Sequence, residues 1–182
     1  LPLLARALGE QHPELSIARR DLAGLLDRVG RPQEAEPLMV SALAAQRKVL
    51  GDRHWQVGET LFSYGILLTT AGRHGEAEAA FREALTIDGP AMVHAHCRRY
   101  LGNSLAEQGR FDEAIDSLQA AVMDYRRIGG PDSVEGWRAA ANLGYTHLRR
   151  GDPELAEREL RAAVARLDEL AGSESYQVRL PL

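Results

Sequence analysis

The stretch Gly72-Arg73-His74-Gly75-Glu76-Ala77-Glu78-Ala79-Ala80-Phe81-Arg82-Glu83-Ala84-Leu85 sets a pattern of turn glycine, small residues and apolar knob that recurs from Gly30, Gly109 and Gly151. Five residues past each glycine stands Ala35, Ala77, Ala114 or Ala156, and twelve past it Ala42, Ala84, Ala121 or Ala163. Nine past it comes a larger apolar side chain, Met39, Phe81, Leu118 or Leu160, and seven before it Ala23, Gly65, Gly102 or Gly144. Alanines at this spacing share one helix face, so each copy predicts a helix packed closely against the helix before it.

Outward from the glycines, the chain of 182 residues reads as four helix pairs. The expected helices run from about Pro13 to Arg28 and Pro32 to Val49, then Trp55 to Thr70 and a partner ending near Ile87. Next come Met92 to Glu107 with Phe111 to Ile128, and Val134 to Arg149 with Pro153 to Leu170. Pro32 and Pro153 suit a first helical position, where a missing N–H is harmless, and Asp132 or Ser133 suits a cap. The glycine intervals are 42, 37 and 42 residues, with the clipped middle interval at Asp88-Gly89-Pro90. These intervals divide the chain into repeats at about 12–53, 54–89, 90–131 and 132–173, flanked by partial repeats at 1–11 and 174–182. The array is thus expected to begin and end inside repeats, and the faces left there are candidates for self-association.

This pattern resembles the tetratricopeptide repeat (TPR) family, whose units have about 34 residues. The resemblance implies an all-α, right-handed superhelical solenoid of antiparallel helix pairs, a single domain over 1–182, with the first helices lining a concave groove. The longer interval, the His12-Pro13 opening, Glu34-Ala35-Glu36-Pro37-Leu38 and the exit Val49-Leu50-Gly51-Asp52 resemble the kinesin-light-chain-like bacterial subgroup over most of residues 8 to 62. That subgroup's paired asparagines are replaced by Arg20-Asp21, Ser63-Tyr64 and Tyr100-Leu101, leaving Asn142.

Composition narrows the function classes. A formal charge of −4 lacks the concentrated positive field of a nucleic-acid binder, and no apolar run approaches the roughly 18 residues needed to span a bilayer. Basic charge is almost all arginine, Lys48 being the one lysine, and the one cysteine, Cys97, excludes an intramolecular disulfide. A reducing, cytoplasmic setting is the expectation. Nothing matches a phosphate-binding glycine loop, a nucleophile elbow or a helix-borne zinc-protease motif, so no catalysis and no cofactor are expected. His94-Ala95-His96-Cys97 offers zinc-type ligands, yet on a helix His94 and Cys97 share a face that His96 does not, and no fourth ligand appears. His12 and His54 recur 42 residues apart and read as part of each repeat's entrance. Trp55 and Trp137 read as packing residues.

Within the resemblance, the groove-facing positions lie thirteen, ten and six residues before each turn glycine: Ile17, Arg20, Gly24; Glu59, Phe62, Ile66; His96, Arg99, Asn103; and Arg138, Ala141, Tyr145. The contact residues expected from them are Phe62 as an apolar anchor, Arg99 and Arg138 for acidic groups, Asn103 and Asn142 for peptide backbone, and Tyr145 for mixed contact. Arg99, Asn103 and Asn142 also fall where clamp-type tetratricopeptide domains hold a terminal carboxylate; the clamp's further basic residues would fall at Leu180 and beyond. The function implied is a non-catalytic scaffold that binds a protein or peptide, acidic or with a free C terminus, with no nucleic acid and no membrane. The alternative is a sensory or autoinhibitory segment of a multidomain bacterial kinase or transcription regulator.

Overall fold

The structure, a computed structural model, describes residues 12–177. The described residues form eight helices: α1 Pro13–Arg28, α2 Pro32–Leu50, α3 Trp55–Thr70, α4 His74–Leu85, α5 Ala91–Glu107, α6 Phe111–Gly129, α7 Val134–Arg150 and α8 Pro153–Gln177. They fall into two compact units divided after Tyr100, inside α5.

Helix starts follow from the residues at them. His12 and His54 cap α1 and α3, each Nδ1 accepting a backbone N–H two residues on, at 3.2 Å from Glu14 and 3.3 Å from Gln56. Ser133 caps α7 by accepting the Gly136 N–H at 3.2 Å. Pro13 opens α1 and Pro32 opens α2 where no donor is needed. At the ends, Gly109 and Gly151 take φ of +76° and +97°, a left-handed turn that a side chain would strain.

Two boundaries differ from the sequence reading by more than one residue. Helix α4 stops at Leu85 rather than near Ile87, because Thr86 turns its hydroxyl back onto the Glu83 carbonyl at 2.8 Å. Ile87 leaves the helix yet stays buried, and a Cβ on Gly58 would lie 3.6 Å from it. Helix α8 runs on to Gln177, past Leu170. The remainder of the expected last partial repeat, and the first one at 1–11, lie outside the described residues.

The cores are built from the repeated positions. All eight repeated alanines are buried, none more than 2% exposed. Met39, Phe81 and Leu118 are fully buried beside them, and Leu160 is half-buried. Opposite each knob the preceding helix leaves a hole. A Cβ at Gly65 would lie within 2.8 Å of three Phe81 ring atoms, at Gly102 2.6 Å from Leu118 Cγ, and at Gly144 2.8 Å from Leu160 Cγ. Such separations are overlaps, so these three sites require glycine for space. In the first repeat the smaller demand of the flexible Met39 admits Ala23, which shares its core cluster.

Polar links join successive pairs within each unit. In the first, Arg73 donates to Glu36 at 2.7 Å, the Tyr64 hydroxyl donates to the same oxygen at 3.0 Å, and Arg47 donates to Glu83 at 2.6 Å. Burial first, then the bond to Glu36, holds the Tyr64 hydroxyl above the usual phenol range. In the second, Arg149 donates to Glu107 at 2.6 Å and Arg150 to Asp112 at 3.0 Å.

Candidate functional site

In the first unit the outward positions of α1 and α3 come together. Arg20 reaches across from α1 and donates to Glu59 of α3 at 2.9 Å, while also bonding its neighbour Asp21 at 3.1 Å. Both members of the cross-helix pair are largely buried, so the pair is screened less than a surface bridge and fixes the two helices side by side. Just beyond it lies a cleft of about 380 Å³. Arg20, Gly24 and Ile66, three of the sequence-assigned groove positions, line it, with Asp27, Arg28 and Ser63 at its rim. Nothing lies within 4 Å of where a Gly24 Cβ would stand, which leaves the cleft open there. Thr70 donates to Asp27 at 2.9 Å and holds that wall.

Farther along the same unit, Phe62 belongs to an aromatic group rather than standing as a lone anchor. It stacks on His96 with centroids 5.7 Å apart, meets Tyr100 edge-on at 5.8 Å and touches Phe81 at 6.3 Å. Phe81 in turn stacks on Tyr100 at 6.0 Å, so the buried knob of α4 is continuous with the half-buried ring of Phe62. Arg99 lies over the Tyr100 ring at 4.6 Å, a cation–π contact that orients its guanidinium. The sequence signal for this group was present in the aromatic identities at 62, 96 and 100, but only the α3–α5 packing pairs them.

In the second unit Asn142 donates its amide to Asn103 at 3.0 Å, joining α7 to α5. Each amide retains further hydrogen-bonding capacity after this one bond, which is the requirement for gripping a peptide backbone. Arg138 bonds Glu135 one turn earlier on its own helix at 2.8 Å, a surface pair that leaves the guanidinium accessible. Tyr145 is 60% exposed and Leu148, three residues on, is 50% exposed. Asn103 and Asn142 are thus brought together, whereas Arg138 and Tyr145 are presented individually on α7.

The residues set aside as metal ligands or reactive groups have packing roles. His94 bonds the Ile87 carbonyl at 2.8 Å and His96 stacks on Phe62. Cys97 is fully buried, and burial pushes its thiol up to about 12, which keeps it protonated and unreactive. Among the described residues no three His, Cys, Asp or Glu side chains converge on a metal-sized position. Arg126 lies over the Trp137 ring at 5.0 Å, while Trp55 is 43% exposed beside His54. No helix among the described residues is long and apolar enough to cross a membrane.

The fold is shared with solved structures. The kinesin light chain TPR-like repeats of Podosopora anserina match at 18% identity over 93% of this chain and 82% of that one, with a TM-score of 0.78. BtubC (BKLC) from P. vanneervenii matches at 22% identity over 92% of this chain and 69% of that one, with a TM-score of 0.79. No curated protein matches the sequence. The tetratricopeptide repeat model matches residues 28–88 and 94–169, three quarters of the chain. Helix pairs, turn glycines and knob-and-hole contacts agree with that match, and the chain belongs to the tetratricopeptide repeat family.

Proposed function

We propose that this chain is a non-catalytic interaction module that holds an extended segment of a partner protein on the outward faces of its first helices. Tetratricopeptide repeats as a class mediate protein–protein contact. The observation that carries the reading here is the Asn103–Asn142 amide pair with exposed Tyr145 beside it in sequence on α7. Side-chain amides offer both donors and acceptors, as a peptide backbone requires of its partner, and an exposed tyrosine adds contact area at low entropic cost. In the first unit, Phe62 and Arg99 offer an aromatic edge and an oriented cation to an acidic or carboxylate-ended segment. The setting proposed is a reducing, cytoplasmic one, from the buried single thiol.

Peptides selected from a random library on the whole chain test this. Asn142→Ala and Tyr145→Ala should each weaken the selected peptides about tenfold, the loss expected for one hydrogen-bonding or aromatic contact. Arg99→Ala should abolish any preference for a free over an amidated C terminus. Selected peptides that bind Asn142→Ala and Tyr145→Ala as tightly as the parent would overturn the assignment.

A further inference from the structure

The fourth turn departs from the other three at two positions that face each other. Four residues before the turn glycine stand Leu26, Leu68 and Leu105, all buried, and then His147, also buried at 7% exposure. One residue after the glycine stand Arg31, Arg73 and Arg110, each bonded at 2.7 Å to Glu34, Glu76 or Glu113. In the fourth copy that residue is Asp152, and Leu155 replaces the glutamate. His147 Nδ1 is buried with no hydrogen-bond partner and lies 4.0 Å from Asp152 Oδ2. The Asp152 backbone N–H also donates to the His147 carbonyl at 2.9 Å, so the two residues already share the turn.

Each replacement alone is unfavourable. An imidazole in a leucine site leaves a buried nitrogen unpartnered, and an aspartate in place of the arginine gives up the clasp to the following helix. Together they place a titratable base within reach of a carboxylate. We propose that the His147–Asp152 pair is a proton-operated clasp for the turn between α7 and α8. Protonation gives Nδ1 a hydrogen and a charge, and a small closure from 4.0 Å makes a charge-assisted bond.

The neighbouring charges permit this. Arg150, on the same helix, now donates to Asp152 at 2.6 Å and to Asp112 of α6 at 3.0 Å. When Asp152 turns to the imidazolium, Asp112 keeps the guanidinium paired. Arg149 is engaged by Glu107 of α5, and Glu154, in the first turn of α8, adds a further negative charge near the turn. A histidine that gains a partner only when charged stabilises the fold on the acidic side of its titration, and that stabilisation is lost as pH rises through it.

Hydrogen exchange on the whole chain tests the clasp. Protection of the Asp152 amide, corrected for intrinsic exchange, should fall about three- to tenfold between about pH 5.5 and about pH 8. His147→Leu, which restores the residue of the other three repeats, should fold and abolish that dependence. Asp152→Asn should likewise remove the pH dependence of that protection while leaving the turn formed. Retained pH dependence in His147→Leu or in Asp152→Asn would overturn the proposal.

Discussion

The turns at Gly109 and Gly151 occupy the same place in successive repeats, close α5 to α6 and α7 to α8, and are fastened differently. At Gly109 an apolar Leu105 fills the space beneath the turn, and Arg110 and Glu113 form an exposed clasp over it. At Gly151 the buried side chain is His147 and the residue after the glycine is Asp152. The packing beneath is the same in both, since Gly102 receives Leu118 as Gly144 receives Leu160. The difference shows that the knob-and-hole interior is common to both helix pairs, while the turn above it takes either an arginine–glutamate clasp or a histidine–aspartate pair.

Moving the fourth turn's chemistry into the third is the largest expected break. Leu105→His should cost about 2–4 kcal/mol in urea melts, from lost apolar burial plus an unpartnered imidazole. Adding Arg110→Asp should restore part of that loss, and more of it at low pH. Absence of any recovery in the double variant would show that the Gly151 turn works through surroundings other than this pair.

The shared interior gives the next effect. Gly102→Ala and Gly144→Ala should each cost about 1–3 kcal/mol by overpacking, with similar values in the two repeats and no dependence on pH. A much smaller cost at Gly144 would mean that half-buried Leu160 yields where Leu118 does not.

The smallest effect lies in the Arg–Glu clasps. Hydrogen bonds from Arg31 and Arg73 hold the Glu34 and Glu76 carboxyls below the usual range, and both groups are exposed. Their contribution is present above the ordinary carboxylate range and is lost as pH falls through the depressed values, opposite in direction to the His147 clasp. Glu34→Gln with Glu76→Gln should therefore flatten slightly the acid limb of stability against pH, read from urea midpoints.

Most of the architecture was legible because it is periodic. The glycine spacing, the alanines and the knobs located all eight described helices, and His12 and His54 were readable as entrance residues before their capping bonds were known. The α4 end at Leu85 was missed because the Thr86 back-bond competes with an apolar pattern that continues to Ile87. The candidate site was less legible, since its content lies in pairs distant in sequence. Arg20 with Glu59, Phe62 with His96 and Asn103 with Asn142 each join neighbouring repeats, and no local pattern announces them. Arg138 differs, since its bond to Glu135 joins i,i+3 neighbours on one helix and that spacing was readable in the sequence.

The small residue facing each knob also limits how such an array can be rearranged. Repeats multiply by unequal exchange between similar stretches, and an exchange within a turn would join one repeat's first helix to another's second. Joining the Ala23 helix to the helix carrying Phe81 would drive a methyl into an aromatic ring, whereas joining Gly65 to Met39 would leave a void. Between these first two repeats, only an exchange that carries both helices of a pair together keeps hole and knob matched, whereas the third and fourth repeats share a glycine hole and a leucine knob. For the first two repeats the closed helix pair is therefore the unit that packing allows to be exchanged intact, with its boundary at the Gly51-Asp52 junction rather than at the more conspicuous turn glycines.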